Sequence, residues 1–446
     1  MKRSRLTPIV AILFLVLAGM VRAADIRPFE AQPLHSFETG AYNTSPTQGA
    51  AGYIQWFNTC LNGLEGDMPN ISASAQAAAN RYVNTGSLIY VGGDGLEGEI
   101  SWRAGGLMLM NPFGLSSAMS NSILLVFPSV NTLDTDLGYA NTQHNLGNMV
   151  IVFASKAALQ RATALNYHYD ATIETHAAPN GGLYRMPDGS WVVNTDTPSK
   201  IIAVWTWTAE FVGACMRLGK MPICWESVAV PGGYDRDLGP YCSQSIKFHD
   251  WVPQQPATGQ LGTQYLRELG KIMGGIAACD LEKIHQAAAM AVSAKRSGHA
   301  VYLYAFGHSE SAIVPCPYDT GLFFQINTGW ATTDNPALKS GYAPQQGDFV
   351  LCVSYDFLYR GANNGSFVEM CRTAGAGLAH GLTSYNQSEV NAILPGEVFI
   401  DEHWALGDAI VYPPGYDIKI CAPSGVIEHS LFWMVNAETL RLFTAK

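Results

Sequence analysis

Two apolar rhythms alternate along the chain. The segments GYIQWFNTCLNG and TQYLRELGKIMGG place apolar residues at helical spacing, and each is followed by an Ala-rich helical stretch, ASAQAAANRYVNTG or KIHQAAAMAVSAKRSG. A short β-rich run comes next, SLIYVGGDG or AVYLYAFGHS. Both runs end in Gly and polar residues, as a buried parallel strand does where it breaks into a loop before a helix. Each half then shows a Gly plus Asn or Asp before a second apolar strand (LGNMVIVFASK, then QGDFVLCVSYD), a third β-rich stretch and a closing helix, SKIIAVWTWTAEFVGACMRLG or SGVIEHSLFWMVNAETLRLF. Continuous rather than alternating apolar runs in the strands call for a parallel sheet covered on both faces. The expected fold is α/β, two tandem doubly wound parallel-sheet domains of flavodoxin-like type.

The two halves overlay at an offset of about 212 residues, so that Tyr53 falls on Tyr265 and Gly86 on Gly298. The predicted organisation is a leader over 1–23, a lead segment over 24–47, a first domain over 48–230, a linker over 231–262 and a second domain over 263–446. The linker is placed where Pro, Gly and Asp occur without periodicity. The leader has the form of a signal peptide: Lys2, Arg3 and Arg5 precede an apolar run from Ile9 to Met20 that ends at Val21-Arg22-Ala23-Ala24. It is shorter than the roughly 20 apolar residues a membrane span needs. The mature protein is therefore expected to be periplasmic or extracellular, with no membrane association after cleavage.

Composition narrows the partners. Charged residues make up 14% of the chain and the net charge is −10, which argues against nucleic acid and anionic membranes, since both demand clustered Lys and Arg. Nine cysteines are scattered without metal-ligand spacing, several of them inside apolar runs such as FVLCVS. Most read as buried small hydrophobes, with Cys215/Cys224 and Cys224/Cys242 as the pairs to examine for a disulfide. His168, Asp170, Glu174 and His176 in NYHYDATIETH supply too few convergent ligands for a metal centre, and no cofactor motif is present. Trp205 and Trp207 read as core.

Four stretches of the second half, YAFGHSES, QQGDFVLCVS, WALGDAIVYPPG and APSGVIEHSLFW, together with VGGDGLEGEISWRAGGLMLMNP in the first, resemble the sugar-isomerase (SIS) domain family. The resemblance implies two divergent SIS domains and a ligand held at the carboxyl ends of the strands by loops rich in Gly and hydroxyl residues. Gly93, Asp94 and Gly95 stand in the first-half loop. Gly307, Ser309, Ser311 and Ser354 stand in the second. Where the family continues with a further Ser and Gly, this chain reads Ser354-Tyr355-Asp356, and a carboxylate beside a phosphate is repulsive, so Asp356 points to a neutral sugar. Glu99 resembles the Glu that SIS proteins carry on the helix after the Gly-rich loop, and it is the leading candidate base for an enediol proton transfer. Its competing role is an ion pair with Arg103 one helical turn on. Glu97, His308 and Glu310 occupy equivalent loops, whereas His403 and Asp408 match a mostly structural segment.

Two functions follow as expectations: an isomerase or lyase-like enzyme acting on an amino sugar or related carbohydrate derivative, with Glu99, His308 and Glu310 as catalytic candidates, or a non-catalytic carbohydrate-binding protein on the same fold. Self-association as a homodimer stays open. Removal of residues 1–23 should leave a soluble, folded protein, and mass spectrometry of exported material should place its N-terminus near Ala24; a full-length form retained in the membrane fraction would contradict the leader assignment.

Overall fold

The computed structural model of the protein describes residues 48–186, 189, 191–239, 241, 246–252, 254–305, 324–328, 344–354 and 361–445. Two long helices open the first half. In α1 (Gly49–Gly66) the buried side chains include Tyr53, Trp56, Phe57, Cys60, Leu61 and Leu64, the i, i+3, i+4, i+7 stripe of an amphipathic helix. Helix α2 (Met68–Thr85) follows after a single residue, Asp67, and ends on Gly86 in the left-handed conformation. The sheet is built from β1 (Ile89–Gly92), β2 (Met110–Pro112), β3 (Ile123–Val126), β4 (Met149–Ala154) and β5 (Ala171–Glu174). Its order is β2-β1-β3-β4-β5 and every pair is parallel. Helices α3 (Glu97–Ile100), α4 (Leu133–Asn145) and α5 (Lys156–Ala164) connect the strands. A hairpin of β6 (Gly182–Arg185) and β7 (Trp191–Asn194) leads into α6 (Asp196–Arg217).

After a short helix α7 (Gly233–Leu238), the plan recurs. Helices α8 (Gln260–Cys279) and α9 (Leu281–Arg296) precede β8 (Val301–Ala305), β9 (Gln325–Thr328), β10 (Phe349–Val353), β11 (Gly377–Leu382) and β12 (Val398–Asp401). Helices α10 (Gly361–Ala374) and α11 (Gln387–Val390) lie between the later strands, and α12 (Ser424–Thr444) closes the chain. The second sheet runs β12-β11-β10-β8-β9, again all parallel. Both sheets thus have the 2-1-3-4-5 order of a flavodoxin-like doubly wound fold, which is the fold class expected from the apolar runs. Among the described residues no helix is long and apolar enough to cross a membrane.

One pairing of the halves needs correction. The sequence overlay matched LGNMVIVF with QGDFVLCV, but the first is β4 and the second is β10, whose structural counterpart is β3. The overlooked strand, ILLV, follows the Gly/Ser-rich segment NPFGLSSAMSNS and lacks the Gly-Asn or Gly-Asp lead used to find its partner. The offset also grows, from 212 between Ile89 and Val301 to 228 between Asp196 and Ser424. The loop ASKAAL therefore follows the fourth strand, and Ser155 there caps α5 by accepting a hydrogen bond from the Ala158 N–H.

The first helix of each half is covered by the closing helix of the other: α1 packs on α12 and α8 on α6, while α2 and α9 pack on the closing helices of their own halves. Consequently α6 is buried from Asp196 to Met216 and α12 from Ser424 to Leu440, which explains why both read as apolar nearly all round. A carboxylate fixes each exchange. Glu210 on α6 accepts hydrogen bonds from the Gly259 and Gly262 N–H groups at the start of α8 (2.8 and 2.9 Å) and from Ser72 Oγ (2.9 Å). Glu438, at the equivalent position of α12, accepts from Ala50 N–H at the start of α1 (3.3 Å) and bonds His285 Nδ1 (2.8 Å). Each closing helix thus caps the exposed amides of the other half's first helix.

A second symmetric device ties the helix pairs to the sheets. His176 and His403, just past β5 and β12, both hold φ near +56° and bond Asp67 (2.8 Å) and Asp280 (2.6 Å) through Nε2. Asp67 and Asp280 are the junction residues between α1 and α2 and between α8 and α9. Each ring lies against a helix glycine, Gly63 or Gly275, where a Cβ would collide with it. His176 is therefore a fold clasp and not a solvated loop residue of NYHYDATIETH.

The connecting segment is docked rather than free. Lys247 Nζ donates to the Tyr82 and Ser87 carbonyls (3.0 Å each), while Arg236 and His249 both reach Tyr416 Oη in the second half (3.1 and 2.9 Å). Cys215 and Cys224 are buried free thiols, so that disulfide is not formed, and Cys242 lies outside the described residues. Trp205 and Trp207 are fully buried core residues.

Glu210→Ala should lower unfolding free energy by about 2 kcal/mol or more, because it strands two helix-terminal amides and the Ser72 hydroxyl without an acceptor. Urea denaturation measures this directly. Burial raises the Glu438 carboxyl, but hydrogen bonds from Arg441, His285 and Ala50 N–H outweigh it and leave its pKa below the usual value. Its contribution is therefore present above the unfolded carboxyl pKa and lost as pH falls through the folded one, so Glu438→Gln should destabilise at neutral pH and cost progressively less in acid.

Candidate functional site

In a 2-1-3-4-5 sheet the chain leaves the first and third strands in opposite directions, which opens a crevice beyond their carboxyl ends. In the first half this switch point lies between the loops after β1 and β3. Gly93, Asp94 and Gly95 have φ of +106°, +55° and +71°. At Gly93 a Cβ would run into the Phe127 carbonyl oxygen, so the turn there requires glycine. The Gly93 N–H donates to Glu97 Oε1 (2.8 Å). Asp94 does not face an empty crevice: its Oδ2 accepts from Lys200 Nζ (2.8 Å), and Lys200 also donates to the Pro128 carbonyl (2.8 Å) and Asp196 Oδ2 (2.6 Å). Burial pushes the Asp94 pKa up, Lys200 pulls it down and Asp196 pushes it up again, leaving it raised. Lys200, although its burial works against the charged form, is held protonated by the two carboxylates.

The second switch point lies beyond β8 and β10. Ser354 stands directly at the end of β10, fully buried, with its N–H donating to the Gly381 carbonyl (3.1 Å). Gly307, His308, Ser309, Glu310, Ser311 and Asp356 lie outside the described residues. Acidic residues stand past β12 and at the start of α12. Asp408 takes the start of α12, accepting from Ser424 N–H (3.1 Å) and Ser424 Oγ (2.8 Å). Glu428, one turn into α12, is the counterpart of Lys200 on α6 and is also fully buried. Glu402, just past β12, accepts from the Trp404 indole (3.0 Å) through Oε2. Burial, against the Trp404 hydrogen bond and with the repulsion of Asp401 and Asp408, raises its pKa to about 8.

Glu99 reaches this region from the first half. Its carboxylate pairs with the Arg103 guanidinium, and Arg103 Nε donates to the Glu99 carbonyl (3.1 Å). The loop that follows is stitched across the interface, with the Gly105 N–H donating to Trp225 O (2.7 Å) and the Cys421 N–H to Gly105 O (3.0 Å). That stitching presses the Glu99 carboxyl against Gly425 in the first turn of α12, where any side chain would displace it. The Trp205 indole lies near enough to lower the Glu99 pKa but outside hydrogen-bond geometry, and Glu99 Oε1 has no hydrogen-bond partner. Burial raises the pKa, Arg103 lowers it and Asp408 raises it, for a net value of about 7. A carboxyl that titrates near neutrality in a water-poor site can both take and return a proton.

The structure therefore brings Glu99 together with Asp408 and the start of α12, while Gly93, Asp94 and Gly95 line the first switch point. Sequence reasoning passed over Lys200, Asp196, Glu402 and Glu428. Two of these carried a signal: Lys200 in SKIIAVWTWT and Glu428 in SGVIEHSLFW are charges within apolar helices, and a charge is buried only with partners or purpose. Among the described residues no three His, Cys, Asp or Glu side chains group as metal ligands.

By strand order, parallel pairing and duplication the molecule is a tandem doubly wound α/β protein. Solved structures that align with it include the C-terminal domain of glucosamine-fructose-6-phosphate aminotransferase from Francisella tularensis, at 10% identity over 87% of this chain and 96% of that one, TM-score 0.46. A protein assigned as a phosphosugar isomerase from Salmonella typhimurium LT2 aligns at 9% identity over 84% of this chain and 95% of that one, TM-score 0.43. One assigned as sugar-binding, also from Salmonella typhimurium LT2, aligns at 10% identity over 88% and 99%, TM-score 0.41. No family model matches the chain, and no curated protein matches it in sequence.

A raised carboxyl pKa means that the folded state holds a proton the unfolded state has released. Between the ordinary Glu pKa and about 7 stability therefore falls as pH rises. Glu99→Gln, which imitates the protonated form, should match the wild type near pH 5 and exceed it at pH 8 by roughly 1 to 3 kcal/mol; equal stability at pH 8 would show that Glu99 titrates normally.

Proposed function

We propose that the protein is an exported carbohydrate-derivative protein whose second switch point works on a neutral or amino sugar by proton abstraction, with Glu99 as the base. The observation that carries this reading is the Glu99 carboxyl, held at about 7 between the two halves and pressed on the start of α12. In the proposed step the carboxylate takes the proton on the carbon next to a sugar carbonyl, the C–H electron pair forms the C=C bond, and the carbonyl π pair moves onto its oxygen, which takes up the proton of the neighbouring hydroxyl to leave an enediolate. Return of the proton to the neighbouring carbon completes an aldose–ketose exchange. His308 and Glu310 remain the candidates for moving the hydroxyl proton. Export rests on the leader segment, and the ligand would be met outside the cytoplasm.

The choice of a neutral or amino sugar over a phosphate ester rests on charge. The helix-terminal position that suits an anion is taken by Asp408, and Glu428 stands where the first half has Lys200. A dianion there would meet Asp408 and Glu428 with Arg103 as the nearby described cation, and like charges in a site of low dielectric repel strongly. An amino group would meet the same carboxylates favourably.

A second reading, a carbohydrate binder without chemistry, draws on a specific observation: Glu99 is fully buried and paired with Arg103, so substrate reaches it only when the contact between α3 and α12 opens. Proton exchange separates the two. Residues 24–446 incubated in D2O with amino sugars and neutral aldoses should catalyse loss of the C2–H signal in the NMR spectrum. Glu99→Gln should reduce that rate at least about 100-fold while leaving calorimetric affinity little changed. Binding without exchange in the wild type would establish the binder, and absence of binding to any of these sugars would refute both.

A further inference from the structure

We propose that Asp94 is a tethered stand-in for a ligand carboxylate, so that the first switch point is a built carboxylate site closed by the protein's own side chain. The inference is independent of which sugar the second switch point handles. It rests on three features of one place. Asp94 is a non-glycine residue in the left-handed conformation, flanked by two glycines that are also left-handed, a backbone conformation that costs energy for a residue with a side chain. Its carboxylate sits in a cradle that would recognise any carboxylate: the Lys200 ammonium at 2.8 Å and the Ser129 hydroxyl. The cradle is also fully furnished without Asp94. Lys200 is anchored from below by Asp196 and the Pro128 carbonyl, Asp196 N–H is taken by Asn194 Oδ1 (2.8 Å), and Ser129 N–H by Asp136 Oδ2 (2.8 Å).

Access supports the assignment. Lys200 is 1% exposed and Asp196 5%, whereas the Asp94 side chain keeps 15% and so stands at the mouth, on the side from which a ligand would enter. The charge arithmetic favours a monocarboxylate over a phosphate. With Asp94 removed, Lys200 and Asp196 form a neutral pair, and a single negative charge restores the native balance, whereas a dianion exceeds it beside Asp196. The ligand class is therefore a small carboxylate or a sugar acid, and the natural protein declines it because the tethered group is always present at far higher effective concentration.

The test is chemical rescue read by thermal unfolding. Formate and glucuronate are titrated into wild type, Asp94→Gly and the double variant Asp94→Gly/Lys200→Met, against chloride at equal ionic strength and against glucose. D94G should show a saturable rise in Tm of about 2 °C or more with formate and glucuronate, with no rise from chloride or glucose. The wild type and the double variant should show none. The proposal is overturned if folded D94G gives no saturable response, if the response persists without Lys200, or if the wild type responds equally. Should D94G not fold in chloride, recovery of its circular-dichroism spectrum in formate supports the proposal. Failure of both D94G and Asp94→Ala to fold in formate overturns it, because the stand-in is by definition replaceable.

Discussion

The reciprocal exchange of first helices is the constraint on which the rest of the molecule depends. A lone half would expose the apolar stripe of α1 or α8, and patches of that size on a soluble surface are ordinarily covered. Here α12 covers α1 and α6 covers α8, so neither half completes its core without the other. Glu210 and Glu438 make the exchange specific, since a buried carboxylate is tolerated only where donors meet it, and the donors here are the first amides of the exchanged helices. Apolar burial supplies the drive. The two caps set the register.

The same duplicated frame carries two different arrangements of buried charge. At equivalent positions of α6 and α12 the first half has Lys200 and the second has Glu428. Lys200 is neutralised by Asp94 and Asp196 and spends its charge inside the crevice. The second half gathers Glu402, Glu428 and Asp408, and receives Glu99 across the interface because the Gly105 loop is hydrogen-bonded to both Trp225 and Cys421. A proton-active carboxyl near neutrality arises there from burial opposed by a single guanidinium and aided by Asp408. Neither half has that combination alone.

Ordinary structural duties also account for residues that look chemical in the sequence. His176 and His403 are clasps from sheet to helix junction, and Ser155 is a helix cap. Each uses a polar side chain to satisfy or orient local backbone and helix ends, which is the commonest employment of such residues. Their symmetric placement, His on Gly and His on Asp in both halves, marks them as parts of the frame.

Periodicity alone determined the longer elements and their class. The stripes of α1 and α8, the continuous apolar runs of β4, β8 and β10 and the all-round apolar closing helices follow from the two periods of backbone geometry and require no tertiary knowledge. The family resemblance pointed to Glu99, and the Gly-rich end of the first strand pointed to the Gly93-Asp94-Gly95 turn. What tertiary structure decided was pairing and partnership. Strand ILLV, too short and unmarked to show in the overlay of the halves, is the third strand, and it places Pro128 and Ser129 at the first switch point. The partners of Asp94, Glu99 and Glu210 lie 106, 326 and 52 residues away, at Lys200, Gly425 and Gly262. Charge and burial at such sites are properties of the folded neighbourhood, because a pKa or an ion pair depends on distances that chain order does not encode.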